Sequence, residues 1–311
     1  MILTCGDALF DVFATAGGSA SSIALDARVG GSPLNVAVAL SRLGQSTAFL
    51  SKVSNDHFGR KLIAYLESER VDVDLIVRTP APTTLAIVAL DDKGVPTYSF
   101  YTNGTSDRSL AVSELPARLP DAVRVVHIGS YTTALEPTAA SLEALVTRER
   151  PRRFISYDPN IRPSIVPDRE LWRKRVAALT AQAHLVKASV EDVQFLYPGV
   201  PVESVLKDWL ARGASIAVAT MGEVGAMAMT RQGVAARVSA RAVKVIDTVG
   251  AGDTFQAALL TWLGEHGRLS PDGLASLSAD DLDSLLTFAA RAAAITCSRR
   301  GADMPRRSEL S

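Results

Sequence analysis

The residues best suited to chemistry stand together in Asp247-Thr-Val-Gly-Ala-Gly-Asp-Thr-Phe255, where a carboxylate follows a run of small residues at the expected start of a helix. Gly250, Ala251 and Gly252 let a ligand approach the backbone closely, and free N–H groups at a helix N-terminus carry partial positive charge suited to an anion. Such amides hold a phosphate without a lysine. Asp253 stands where a base is useful: it can take the proton of an attacking hydroxyl while neighbouring amides stabilise charge on phosphoryl oxygens. The same residues also suit a plain tight turn in which Asp253 caps a helix.

Asp158, Asn160 and Arg162 form an Asp-x-Asn-x-Arg string directly after an apolar run, the position at which ligands collect on parallel sheets. Arg162 could stabilise a transferring phosphoryl group or bind substrate, and the bland alternative is a loop between Pro159 and Pro163 with a solvated arginine. His57, His127, His184 and His266 are scattered, and Cys5 and Cys297 lack metal-ligand spacing, so neither zinc nor a disulfide framework is expected. Neither a G-x-x-x-x-G-K-[ST] loop nor a G-x-G-x-x-G fingerprint is present, which removes the P-loop kinases and the dinucleotide-binding oxidoreductases.

These groups need elements to hold them. A strand is expected near residues 2–6, then Ser32 as N-cap and Pro33 as first helical position ahead of Val36, Leu40 and Leu43. A strand near 47–53 and a helix near 58–69 follow. From 74 to 101 the texture turns to short β-rich runs, with 84–90 and 97–101 reading as a hairpin around Asp91-Asp92-Lys93-Gly94. Beyond 123, strands near 123–128, 154–158, 184–187 and 215–220 alternate with helices near 137–148, 168–180 and 202–212. Further helices are expected at 252–265 and 280–296. That alternation argues for an α/β fold with a mainly parallel sheet covered by helices. Residues 1–311 read as one domain in which the β segments at about 11–29 and 74–108 form a small lid, too small for a core of its own.

With 47% hydrophobic residues in 311, the chain has ample material for a core. Lys+Arg and Asp+Glu both total 33, so the formal net charge is zero and no general nucleic-acid or anionic-membrane surface is expected. The opening residues carry Asp7 and Asp11 and no basic leader, and no apolar stretch is long enough to span a bilayer. The cytoplasm is the expected compartment.

The nine-residue string resembles the C-terminal signature of the ribokinase and fructokinase family, the PfkB-type carbohydrate kinases. Gly30-Gly31-Ser32-Pro33-Leu34-Asn35 resembles that family's other signature, and the two occur in the right order. The resemblance implies a ribokinase-like three-layer fold and transfer of the γ-phosphoryl group of ATP to a sugar hydroxyl, assisted by Mg²⁺ and often by a monovalent cation such as K⁺. It implies Asp253 as base, with Gly250, Ala251, Gly252 and Arg162 at the phosphoryl group. The sugar would lie against Asp11, Gly30, Gly31, Asn35, Phe100, Asn160 and Asp253.

Lys187-Ala188-Ser189-Val190-Glu191-Asp192 resembles the segment whose usual Asn-x-x-Glu organises Mg²⁺ through water and phosphate. Ser189 and Asp192 replace the usual pair, and they would equally cap a helix. Thr220, Gly222 and Gly225 resemble the nucleotide-binding turn, for which a plain hairpin is the alternative. Asp247 would serve the monovalent cation, and residues 299–302 resemble the closing segment near adenine. The run 100–108, with Asp107 and Arg108, resembles bacterial fructokinases and makes fructose the expected substrate. A 2-keto-3-deoxygluconate or nucleoside kinase of the same family, or a catalytically silent sugar-binding regulator, are the alternatives. Lid strands with edges to protect suggest a homodimer.

Overall fold

The structure is a computed structural model and describes residues 1–19, 21–90 and 96–310. The first half of the chain supplies strands β1 (Ile2–Cys5), β2 (Leu9–Ser19), β3 (Ser22–Gly30), β4 (Thr47–Leu50), β5 (Lys52–Ser54), β6 (Val77–Thr79), β7 (Thr84–Leu90) and β8 (Pro96–Tyr101). The second half supplies β9 (Val125–Gly129), β10 (Phe154–Asp158), β11 (Leu185–Ser189), β12 (Ile216–Thr220), β13 (Ala226–Thr230) and β14 (Ala235–Val238). The helices are α1 (Ser32–Arg42), α2 (His57–Ser68), α3 (Thr138–Glu149), α4 (Arg169–Thr180), α5 (Val190–Leu196), α6 (Val202–Arg212), α7 (Ala251–Glu265), α8 (Pro271–Ala275) and α9 (Ala279–Cys297).

Eight strands form the main sheet in the order β14-β13-β12-β11-β10-β9-β1-β4. Neighbours from β4 to β12 run parallel, and β13 and β14 are added antiparallel at one edge. Parallel strands need helical crossovers, so both faces are covered. Alternate residues carry the two cores. Ile2, Val125, Phe154, Leu185 and Ile216 face α1, α2, α7 and α9, whereas Leu3, Val126, Ile155, Val186 and Ala217 face α3, α4, α5 and α6. The result is the three-layer α/β arrangement that the alternation of strands and helices foretold.

A separate four-stranded sheet has the order β3-β2-β7-β8. Its register sets Arg28 beside Asp11, Asp11 beside Ala86, and Ala86 beside Phe100. Because side chains alternate across a strand, these four residues share one face. The expected pairing of 84–90 with 97–101 is found, antiparallel; the turn residues Asp91 to Gly94 lie outside the described residues.

Two local readings change. Gly31, at φ 111°, is the N-cap of α1, so Ser32 and Pro33 occupy the first two helical positions. A Cβ at Gly31 would sit 2.6 Å from the Asp7 carbonyl oxygen, which explains why glycine and not serine takes the cap. The β-rich run at 74–101 also divides: Val77–Thr79 pairs in parallel with Lys52–Ser54 and not with the four-stranded sheet.

Candidate active site

Functional groups gather at the carboxyl ends of the parallel strands, where an open α/β sheet binds its ligands. Gly250 turns the chain into α7 with φ 77°, and a Cβ there would lie 2.8 Å from the Ala302 methyl carbon. Asp253 falls in the first turn of α7 and is buried. Its Oδ1 accepts from Ser32 Oγ at 2.6 Å and from Asn160 Nδ2 at 3.3 Å, and its Oδ2 accepts from Asn35 Nδ2 at 2.9 Å. The two asparagines read from sequence as sugar contacts therefore also hold the carboxylate. Ser32 entered the sequence reading only as a cap; its hydroxyl is directed to Asp253 because Gly31 has taken the cap.

The first-turn amides of Gly252 and Asp253 have no carbonyl four residues back inside the helix. The Ala251 N–H is instead closed onto Thr248 O at 3.2 Å. A Cβ on Gly252 would approach Lys187 Nζ to 3.1 Å, so that ammonium overlooks the helix start. Lys187 donates to Asp158 Oδ2 at 2.8 Å, and both side chains are buried. Burial opposes the charge on Lys187, yet Asp158, Asp192 and Asp253 together hold its pKa above the ordinary value. Burial pushes Asp158 up to about 6, with Lys187 opposing and Asp192 and Asp253 adding like charge. Three carboxylates thus share one ammonium.

Asn160 has φ 38°, a left-handed conformation asparagine tolerates better than most residues. Arg162 is exposed, donates to Ile161 O at 3.1 Å, and lies near enough to Asp11 and Asp7 to lower the pKa of each. On the four-stranded sheet, burial pushes Asp11 up to about 6, with Arg162 opposing and Asp253 adding like charge. A Cβ on Gly30 would strike Asp11 Oδ2 at 2.4 Å, so this glycine makes room for the carboxylate. Phe100 is partly buried in the same row.

Ser189 and Asp192 form a reciprocal capping box at α5: Ser189 Oγ accepts from Asp192 N at 3.1 Å, and Asp192 Oδ2 accepts from Ser189 N at 2.9 Å. Asp192 Oδ1 accepts from Ile161 N at 2.7 Å, tying this helix to the Asp158 loop. Thr220 ends β12, and Gly222 (φ 52°) and Gly225 (φ 116°) shape a hairpin into β13. Asp247 accepts from Val249 N at 3.1 Å and from Gly301 N at 2.8 Å, joining the loop before α7 to the C-terminal segment.

Among the described residues no three His, Cys, Asp or Glu side chains cluster as a metal cage. Both Asp192 oxygens already accept from Ile161 N and Ser189, so a Mg²⁺ near it would be held chiefly by its own waters and phosphate ligands, the habit of that ion. Asp247 offers only oxygen, the donor type a hard monovalent cation takes.

Residues missing from the sequence reading of the site include Asp7 and Tyr131, and Asp107, read there only as half of an acidic-arginine pair, has a further role. Asp107 is buried and accepts from Tyr131 Oη, from Thr84 Oγ1 at 2.5 Å and from Thr105 Oγ1 at 3.2 Å. This cluster fastens the base of the four-stranded sheet to the segment after β9.

A buried carboxylate at a helix start, with amides and an ammonium beside it, is the equipment of a phosphoryl-transfer site. The chain belongs to the pfkB family of carbohydrate kinases, whose model matches residues 2–308. It is therefore an ATP-dependent phosphotransferase acting on a sugar hydroxyl. Its relatives include the fructokinase of Rhizobium leguminosarum bv. trifolii, 36% identical over 285 residues that cover 91% of this chain and 85% of that one. Fructokinase-1 of Oryza sativa is 33% identical over 97% of this chain and 93% of its own length. A solved fructokinase from Xylella fastidiosa with bound ATP superposes with TM-score 0.89 at 29% identity, covering 99% of this chain and 96% of that chain. A double-mutant fructokinase from Vibrio cholerae O395, in a form with fructose, ADP and potassium ion, gives TM-score 0.83 at 27% identity, covering 99% and 96%.

Proposed function

We propose that this kinase converts fructose to fructose 6-phosphate with ATP. The observation that carries the reading is Asp253, a buried carboxylate in the first turn of α7 held by Ser32, Asn35 and Asn160. The fructokinases among its relatives support the choice of sugar.

In this reading Asp253 takes the proton of the sugar 6-hydroxyl as that oxygen attacks the γ-phosphorus, and the bond to the β–γ bridging oxygen breaks to release ADP. The amides at the start of α7 hold the transferring oxygens, and Gly252 gives them room. Lys187 and Arg162 balance the anionic charge. Asp11, Asn35, Asn160, Gly30, Gly31 and Phe100 surround the sugar, with Thr220, Gly222 and Gly225 on the nucleotide side. Mg²⁺, when bound with ATP near Asp192, neutralises phosphate charge; Asp247 would serve K⁺.

The rest of the reading is one domain over 1–311 with lid segments at about 11–29 and 74–108. No described helix is long and apolar enough to cross a membrane, and the free thiols Cys5 and Cys297 suit the cytoplasm. A homodimer through the lid would cover Ile23, Leu25 and Tyr101, which are 67%, 49% and 63% exposed.

ATP consumption with Mg²⁺ and K⁺ across fructose, ribose, glucose, ketodeoxygluconate, adenosine and tagatose tests the substrate. Preference for an acidic sugar or nucleoside would overturn fructose; sugar binding without turnover would make the chain a regulator. Asp253→Asn should keep sugar binding and lose roughly 10²- to 10⁴-fold in turnover, and near-normal turnover would reject its role.

A further inference from the structure

Asp7 is a buried carboxylate that the mechanism above does not use. It follows β1 and faces the start of α1. The N-cap of α1 is Gly31, which has no side chain, so the helix lacks a cap of its own. Asp7 Oδ2 supplies one from outside by accepting the Ser32 N–H at 3.2 Å. A carboxylate there also meets the positive end of the helix dipole.

The two turns are fitted to one another at backbone distance. A Cβ on Gly6 would lie 2.6 Å from Pro33 Cγ, and one on Gly31 would lie 2.6 Å from the Asp7 carbonyl oxygen. The residue whose amide Asp7 holds is the same residue whose hydroxyl donates to Asp253 at 2.6 Å. One helical turn on, Asn35 donates to the other oxygen of Asp253. The two donors therefore leave the same helix end that Asp7 fixes.

We propose that Asp7 is a positioning residue for phosphoryl transfer, holding the start of α1 so that Ser32 and Asn35 fix the carboxylate of Asp253 in its reactive orientation. The inference rests on the reading of Asp253 as base. Small displacements of such a group are costly, since a misplacement of about 1 Å can lose roughly 100-fold in rate.

Asp7 is also placed to respond to pH. Burial, and then the neighbouring Asp107, push its carboxyl up to about 7; Ser130 and Arg162 oppose this. Thr132 Oγ1 lies at 3.4 Å, and Tyr131 Oη, itself bonded to Asp107, completes the titratable groups that face it. The anion accepts from Ser32 N most strongly, so turnover should fall as pH drops through about 7.

The test compares Asp7→Asn, Asp7→Ala, Ser32→Ala and the Asp7→Asn/Ser32→Ala double variant in the full-length protein, with ATP and fructose as probes. Far-UV circular dichroism and a thermal melt establish which variants fold. The expected results are kcat lowered about tenfold by Asp7→Asn, a KM for fructose within about twofold of the parent, and loss of the acid limb near pH 7. On a Ser32→Ala background the same Asp7→Asn change should lower kcat by clearly less than tenfold, because part of the hold on Asp253 that Asp7 secures runs through the Ser32 hydroxyl. Equal fold-losses with and without the Ser32 hydroxyl, a change confined to KM, or unaltered kcat and pH profile would each overturn the proposal. Should Asp7→Ala fail to fold, the isosteric Asp7→Asn and Ser32→Ala, which removes a single buried hydroxyl, still decide it. Failure of the base reading is separate: it would appear as near-normal turnover in Asp253→Asn, whatever Asp7 does.

Discussion

Lys187 and Asp158 form an ion pair of 2.8 Å whose side chains are 4% and 0% exposed. At that depth the pair is a liability if halved. Asp158→Ala leaves an ammonium in the interior and should cost about 3–5 kcal/mol, read from chaotrope unfolding. Replacing both, as Lys187→Met with Asp158→Leu, should recover much of that stability while leaving turnover low. A double variant as unstable as the single would show that the pair itself stabilises the fold.

Gly250 and Gly252 should respond oppositely to alanine. Gly250 combines φ 77° with a 2.8 Å clash against Ala302, so Gly250→Ala should lose more than about 1 kcal/mol. Gly252 lies within α7, where alanine is intrinsically better by about 1 kcal/mol, and the contact it would make, 3.1 Å to the ion-paired Lys187 ammonium, asks that group to give by only a few tenths of an ångström. Gly252→Ala should melt at or above the parent temperature yet raise KM for ATP, because a methyl group now occupies the phosphate approach. Thermal melts paired with ATP titrations check both.

These contacts show what one sequence can and cannot display. Periodicity located the strands and helices well: the helix expected at 202–212 is α6 with the same bounds, and the strand expected at 154–158 is β10. The signature string likewise pointed to α7, because its glycines and aspartate are contiguous. The short strands β13 and β14 and the short α5 and α8 carry too little pattern to stand out. Asp7 and Ser32 were illegible as partners since their contact spans 25 positions and uses a backbone amide. Asp107 and Tyr131 are joined by chain topology, which local spacing does not encode.

Asp11→Asn should stabilise the protein near neutral pH while weakening sugar binding. The folded state raises this carboxyl to about 6 from an ordinary 3.8, so folding favours the protonated acid, and stability declines as pH climbs from about 4 through about 6. The amide carries no charge and escapes that loss. Melting temperature measured from pH 4 to 8 should show the variant gaining on the parent up to about pH 7 and running parallel above it. Curves parallel throughout would mean that Asp11 titrates normally.

Tyr131→Phe removes a donor from buried Asp107 and should cost about 1–3 kcal/mol. Burial already raises the Asp107 pKa, and loss of a bond to the anion raises it further. The variant binds protons more readily when folded, so its deficit should grow with pH. Unfolding at pH 6 and at pH 8 measures this, and an equal deficit at both would exclude the link.

The packing of α1 against α7 also bears on how the polypeptide is made. Every residue of α1 from Ser32 to Leu40 is buried, and its cover includes α7, whose Asp253 lies 221 positions after Ser32. At about 5–20 residues per second, a ribosome needs roughly 10–40 s to supply that cover. Throughout that interval the nascent chain carries an apolar helix without its final partner, and the Asp253 carboxylate arrives only when the helix is sealed.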